Sequence, residues 1–353
     1  MKVTIIGPIP PPNGGMAMQT QQLINLLRQS HIAVNHIATN SPYKPSIIKH
    51  IPVLRALFRL FYYLYTLVKE LKGASVIHLM ANSGWSFYLF AMPVIYIASW
   101  YRIPVMMNYR GGLADEFFSK DWHWIKGALA RVDKVIVPSK YLQLIFEKFG
   151  IEATVVSNIV DLSVFDFQSA SLNDEKLHIV VTRNLEEIYD NGTAIEGFAL
   201  FAKKYPNAIL SVAGTGEQEA SLKQLVAELG LTSQVNFVGR LERNQIAALY
   251  QKADILLNTS LVDNTPNSII EALACGLVVV SSDVGGIPYL VTNKQHAFLT
   301  SPRSAIGIAN QLNYVMDNKK EALEVAKNGH HMVSKFTPEF VIPQLLNLYQ
   351  ELK

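Results

Sequence analysis

Cysteine is nearly absent: one residue, Cys275, in a chain of 353. A lone thiol excludes an internal disulfide and fits a reducing, cytoplasmic compartment. No histidine stands near it in sequence, so its expected role is packing at a helix end, not nucleophilic chemistry. Excess charge is lacking too. Thirty-one Lys and Arg oppose 28 Asp and Glu, and a formal net charge of +3 makes no global field for a nucleic-acid partner. Met1–Gly7 is too short and too strand-like for a signal peptide. Trp85–Tyr101 is seventeen residues without charge. It sits at the lower edge of a spanning length, contains Pro93, and is read as a buried helix of a soluble core. The G-x-G-x-x-G fingerprint is missing, which counts against a nicotinamide oxidoreductase. No Asp-x-Asp stands at a strand end, and the histidines, His330-His331 included, lack zinc-ligand spacing. The expected chemistry uses no metal and no other cofactor.

What the chain does have is apolar residues, half of the total, ample for two cores at this length. Short apolar runs suit parallel strands buried on both faces: Val3–Gly7, Ile32–Ile37, Val76–Leu79, Val105–Asn108, Val135–Val137 and Ala153–Val156. Helical stretches separate them. The alternation dissolves into polar residues over 161–176, an expected linker. It restarts with Leu177–Thr182, Ile209–Ala213, Val235–Val238, Ile255–Asn258 and Val278–Ser282. The pattern predicts an α/β protein with two doubly wound domains, 1–160 and 177–336. A final helix over 337–353 has Ile342, Leu345, Leu346 and Tyr349 on one face.

The most informative stretch is Asn258 to Val291, NTSLVDNTPNSIIEALACGLVVVSSDVGGIPYLV. It reads as strand, polar turn, short helix, strand and Gly-rich turn. Thr265 is the expected N-cap, with Pro266 at the first helical position, where its missing N–H costs nothing. Gly276 ends the helix. The N–H groups of Asn267, Ser268 and Ile269 would then face the mouth of the sheet as an anion site. Glu271, about one and a half turns in, suits sugar hydroxyls rather than phosphate. An anion cradle beside a carboxylate is what a sugar nucleotide needs.

This segment resembles the signature of glycosyltransferase family 4, retaining enzymes with two Rossmann-like domains in the GT-B fold. The pair of acids eight apart is Asp263 and Glu271, followed by Ala274-Cys275-Gly276 and Gly285-Gly286-Ile287-Pro288. In the C-terminal half the pattern is departed from in three respects. Asp263 replaces the commoner Glu, Tyr289 follows the Gly-Gly-x-Pro, and Ile188 and Tyr189 stand where a Lys usually follows the phosphate-site Arg. The resemblance covers nearly the whole chain. It implies a nucleotide-sugar donor held mainly by the C-terminal domain, and a final helix crossing back to the N-terminal one. Arg183 and the helix starting at Pro266 would hold the diphosphate, and Asn184, Asn264, Thr265, Asn267 and Ser268 would also bind the donor. Glu271 would bind ribose and Asp263 the transferred sugar.

Other motifs admit two readings each. Pro12-Asn13-Gly14-Gly15 is a plain turn, or Gly14 and Gly15 meet a donor phosphate at a helix start. Gly214-Thr215-Gly216 and Gly239-Arg240 are ordinary strand ends, or backbone that faces the donor. Arg183 is a surface residue, or a bidentate phosphate clamp beyond a strand's carboxyl end. Arg110 stands where the family commonly has His before Gly; it would bind an acidic acceptor or the donor phosphate. His78 on its strand is structural or catalytic. The catalytic candidates are thus Asp263, Arg183, Arg110 and His78.

Lys44–Lys72 mixes Lys, Arg, Phe, Tyr and Leu with no acid before Glu70. It has the profile of an interfacial helix on an anionic membrane surface; the other reading is a core helix with snorkelling bases. The leading functional expectation is a retaining, metal-independent glycosyltransferase that moves a sugar to a glycan or lipid-linked acceptor in cell-surface polysaccharide synthesis. Two alternatives stay open. One is a sugar-nucleotide epimerase or hydrolase, and the other a non-catalytic sugar-nucleotide-binding protein.

Overall fold

The computed structural model describes residues 1–11, 15–40 and 52–353, the side chains of 52–58 excepted. The chain divides into two compact units, Met1–Ile159 with Pro338–Lys353, and Val160–Thr337.

In the first unit the elements run β1 (Lys2–Gly7), α1 (Gly15–Gln29), β2 (Ala33–Ala38), α2 (Pro52–Leu71), β3 (Val76–Ala81), α3 (Met92–Tyr101), β4 (Val105–Tyr109), α4 (Ala114–Leu129), β5 (Lys134–Val137), α5 (Lys140–Lys148) and β6 (Ala153–Val155). The strands form one parallel sheet in the order β2-β1-β3-β4-β5-β6. Every residue of β3 and β4 is buried, as expected for a parallel sheet covered on both faces. Alternate side chains divide between two cores. Ile77, Leu79, Met107 and Tyr109 pack with Leu67, Ile95, Phe118 and Phe146 of α2–α5. Val76 and Met106 pack on the other face with Leu23 and Leu27 of α1.

Trp85–Tyr101 is not the fully buried helix that its lack of charge suggests. Val94, Ile95 and Ala98 of α3 are buried, but Trp100 is 83 % exposed and Tyr96 43 %, and Trp85 just before it is 78 % exposed. The helix is one-sided in burial without being one-sided in polarity. Among the described residues no helix is long and apolar enough to cross a membrane.

The second unit continues with β7 (His178–Thr182), α6 (Asn191–Ala202), β8 (Ile209–Ala213), α7 (Glu219–Glu228), β9 (Val235–Gly239), α8 (Arg243–Tyr250), β10 (Ile255–Asn258), α9 (Asn267–Ala274), β11 (Val278–Ser282), α10 (Ile287–Leu290), β12 (Phe298–Thr300), α11 (Ala305–Asp317) and α12 (Lys319–Met332). Its parallel sheet has the order β12-β11-β10-β7-β8-β9. The chain therefore leaves β7 toward β8 on one side and returns to β10 on the other. The β7/β10 boundary is the switch point, where ligands of such sheets sit beyond the carboxyl ends. β12 has only three residues, too few to register as a pattern.

The segment over 161–176, the expected linker, packs on the second unit. Asp161 accepts the Ser163 N–H at 2.9 Å and starts a 3-10 turn over Leu162–Val164. Phe165 and Leu172 are 3 % and 1 % exposed. The carboxylate of Asp254 accepts the N–H groups of Ser171, Leu172 and His178 at 2.9, 3.2 and 3.0 Å. The segment is polar at its surface and stapled to the second unit underneath. Finally α13 (Pro338–Glu351) belongs to the first unit, where Val341, Ile342, Leu345 and Tyr349 join Leu23 and Ile5 in one core.

Candidate active site

Five loops meet at the carboxyl edge of the second sheet, and the switch point is bridged by one hydrogen bond. Arg183, next after β7, donates Nε–H to Oδ1 of Asn258, the last residue of β10, at 3.1 Å. Asn258 is itself fixed: its Nδ2 donates to Ser281 Oγ at 2.9 Å, and Ser260 Oγ donates to the same Oδ1 at 2.9 Å. The Arg183 guanidinium lies 4.8 Å from the centroid of the Tyr189 ring, and its Nη2 forms an ion pair with Asp263 Oδ2. Both side chains are 14 % exposed. Burial lowers the pKa of Arg183 from its ordinary value, while Tyr189, Tyr250 and Glu271 pull the other way.

The helix start behind this cluster differs by one residue from expectation. Pro266 is extended, with ψ 114°, so it caps α9 and helical geometry begins at Asn267. Thr265 precedes the cap. The Ile269 N–H turns back to the Pro266 carbonyl at 3.1 Å and is not part of the anion cradle. Ser268 remains. It is 7 % exposed and its Oγ has no hydrogen-bond partner among the described residues. The Tyr250 hydroxyl reaches the Ser268 carbonyl at 3.4 Å and Thr182 Oγ1 at 2.6 Å, tying α8, α9 and β7 together.

Glu271 sits below these groups. Burial pushes its carboxyl up to about 7, and Arg243 and Arg183 act against that rise. Arg243, which opens α8, is held by Asp161 at 3.1 Å and lies 5.5 Å from the Phe165 ring. It is a second positive charge acting on this carboxylate, from α8 rather than from the turn after Arg183, where Ile188 and Tyr189 stand. Cys275 is fully buried, and burial raises its thiol to about 12, an inert packing residue.

The glycines shape these loops by close approach. A side chain at Gly214 would collide with the Arg183 carbonyl, and one at Gly216 with that of Leu185. Gly286 presses on Asn264, and its N–H donates to the Asp263 carbonyl at 2.9 Å. Two Gly turns thus clamp the backbones that carry Arg183 and Asp263. Gly214 and Gly216 act through that packing. Gly239 has φ +70° with open space around it, and Arg240 beside it is exposed. Asn184 is turned to Glu186 at 2.8 Å.

In the first unit Arg110 follows β4, its N–H bonded to the Ala81 carbonyl at 2.9 Å. His78 is 0 % exposed, between Tyr349 Oη at 2.6 Å and Asn108 Nδ2 at 3.1 Å. Burial first, then Arg110, drives its pKa down to about 3. His78 is thus held inside the first unit between a tyrosine hydroxyl and an amide, and does not open onto the surface. Gly15 opens α1, and among the described residues nothing lies within 4 Å of where its Cβ would stand. Gly14 and Lys44–Ile51 lie outside the described residues. Among the described residues no group of three or more His, Cys, Asp or Glu could hold a metal ion.

Asn258, Tyr189, Tyr250 and Arg243 were not among the expected site residues. Asn258 carried a signal as the polar end of a buried strand. The other three are brought in by tertiary packing.

A family model described as Glycosyl transferases group 1 matches residues 164–332, and one described as Glycosyltransferase Family 4 matches residues 13–164. The glycogen synthase of Mycobacterium tuberculosis is 26 % identical over 258 residues, 68 % of this chain and 61 % of that protein. The alpha-monoglucosyldiacylglycerol synthase of Acholeplasma laidlawii is 24 % identical over 233 residues, 62 % of this chain and 58 % of that protein. The matches thus span less than two thirds of these relatives' own lengths. Among solved structures, Anabaena HepE in complex with UDP has a TM-score of 0.77 at 20 % identity, covering 99 % of this chain and 100 % of that one. That likeness shows a common fold. The two matched stretches adjoin and together run from residue 13 to residue 332, and the chain belongs to glycosyltransferase family 4, with the GT-B fold.

Proposed function

We propose that the protein transfers a sugar, with retention of anomeric configuration and without a metal ion, from a nucleotide-sugar donor to a lipid-linked or glycan acceptor. One observation carries the reading: Arg183 is held at the switch point by Asn258 and Tyr189, beside the start of α9 and Glu271. Donor diphosphate would take over Arg183 from Asp263, freeing that carboxylate for the hydroxyls of the transferred sugar. As the bond from the anomeric carbon to the diphosphate oxygen breaks, its electron pair goes to the diphosphate. Arg183 stabilises that growing charge. The acceptor oxygen bonds to the same face, and its proton leaves with the diphosphate. The solved UDP complex of a protein of like fold is consistent with such a donor.

The test is thermal-shift screening of the full chain against a panel of sugar nucleotides. At least one is expected to raise the melting temperature in a concentration-dependent way. Silence across the panel sinks the proposal. Release of free sugar or an epimer without any acceptor would replace it with the hydrolase or epimerase reading.

For the acceptor we favour a lipid-linked one, used at a cytoplasmic membrane face as part of cell-surface polysaccharide synthesis. On α2, Phe61, Tyr62, Tyr65 and Val68 are 69, 50, 64 and 50 % exposed, opposite the buried Tyr63, Leu67 and Leu71. α3 packs beside it, Tyr101 donating to the Val68 carbonyl at 3.4 Å, and adds the exposed Trp100 and Tyr96. Exposed Lys69, Lys72 and Arg102 accompany them. Aromatic rings and bases on one layer suit the interface of an anionic bilayer. The protein is expected to sediment with anionic vesicles at low salt, and less so at about 0.5 M salt. Tyr65→Ser with Trp100→Ser should release it while sparing donor binding. Wild-type protein left in the supernatant at low salt would refute the membrane contact.

A further inference from the structure

Arg110 is a cation arranged without a counter-ion. Its Nη1 donates to Asn108 Oδ1 at 3.4 Å and its Nη2 to Asn158 Oδ1. Both acceptors are neutral amides, and among the described residues no carboxylate pairs with it. The contrast with Arg183, which has Asp263, is direct. Burial lowers Arg110 to about 10, and no acid opposes that fall.

The amides are themselves held in one orientation. Asn108 turns Oδ1 to Arg110, so its Nδ2 must face His78 Nε2, which accepts at 3.1 Å. A neutral imidazole then carries its proton on Nδ1 and donates it to Tyr349 Oη at 2.6 Å. Tyr349, His78 and Asn108 are 0, 0 and 7 % exposed. Behind Arg110, the side chain of Gln19 grips the backbone of Ile159 from both sides, at 2.8 and 3.1 Å. A side chain at Gly111 would strike Ser83, so the turn after β4 lies pressed on the turn after β3. Three buried neutral side chains thus aim one guanidinium from the carboxyl edge of the sheet and leave its charge intact. A part-buried charge kept unpaired costs stability in the free protein. The arrangement makes sense when an anion arrives.

Resting on the transfer reaction proposed above, we infer that Arg110 receives an oxyanion, carboxylate or phosphate, of one of the two substrates. His78, Asn108 and Tyr349 are its positioning residues.

The test uses the full chain with the Arg110 Nε–H resonance followed by NMR. Probes are inorganic phosphate, glucuronate, UDP and, as the neutral control, glucose. Phosphate or glucuronate should move the resonance and glucose should not. If UDP alone moves it and displaces phosphate, the oxyanion is the donor's. If glucuronate or phosphate still moves it with UDP bound, it is the acceptor's. Arg110→Gln should weaken binding of the effective anion at least tenfold and raise the melting temperature of the free protein by about 2–4 °C. Arg110→Lys, which keeps the charge, should retain part of the affinity and reports that the site still folds. Full anion affinity in Arg110→Gln overturns the inference whatever the melting temperature does. A chain that binds sugar nucleotides but shows that result would leave the proposed reaction standing and remove only Arg110.

Discussion

Replacing Arg183 by Ala is expected to lower kcat about 10²–10³-fold, the usual loss when one donor aimed at developing oxyanion charge is removed. The Michaelis constant for donor should rise less, because the diphosphate charge grows between ground state and transition state. A second consequence follows from the ion pair with Asp263, whose side chain is only 14 % exposed. Truncating Arg183 strands that carboxylate, at a cost of about 3 kcal/mol of folding stability. Asp263→Asn in the same background should recover most of the stability and none of the turnover. Steady-state kinetics with urea unfolding of the single and double variants separates the effects. Unchanged kcat with only weaker donor binding would place Arg183 in uniform binding and remove it from catalysis.

Glu271→Gln is expected to make the protein more stable and worse at binding donor. Burial holds the folded carboxyl at about 7, against an ordinary 4.5. Between these values the folded state binds more protons than the unfolded one, so stability falls as pH rises from 4.5 to 7 and stays lowered above it. At pH 8 the ionised carboxylate therefore costs the fold on the order of 3 kcal/mol. The Gln variant should recover much of that at pH 8 and almost none at pH 4.5. It should also lose about 1.5–3 kcal/mol of donor affinity, since ribose hydroxyls bond more strongly to a carboxylate than to an amide. Wild-type donor affinity should decline below pH 7, where Glu271 takes up its proton. Urea unfolding at both pH values and calorimetric titration with UDP decide the matter. Equal stability of the two proteins at pH 8, or wild-type UDP affinity in the variant, would remove Glu271 from this role.

The site was legible where chemistry is local in the chain. Asp263, Ser268, Glu271 and the Gly pair at 285–286 lie within 24 residues, and strand, turn and helix signals order them. Arg183 was legible from its place at a strand end. What sequence could not convey was company. His78 is sealed by Tyr349, 271 residues away, and no local pattern relates them. Tyr189 looked like a departure from a family pattern, and its ring lies against Arg183. Composition misled at α3, because Trp and Tyr score as apolar whether they face a core or open surface. The polar surface of 161–176 hid Phe165 and Leu172, single buried residues too sparse to make a period.

That α13 completes the first unit makes the second unit an insertion in it, and synthesis is vectorial. Residues 160–337 can collapse as soon as they have left the ribosome, since each of their strands has its partners within that span. The first unit, although made earlier, must wait. Until Val341, Leu345 and Tyr349 are made, the core around Ile5, Leu23 and Met106 lacks part of its cover and His78 has no hydroxyl to meet. The nascent N-terminal half is thus the species with exposed apolar surface, the state that chaperones hold. Completion of the unit that carries Arg110 is thereby timed by the arrival of its final helix.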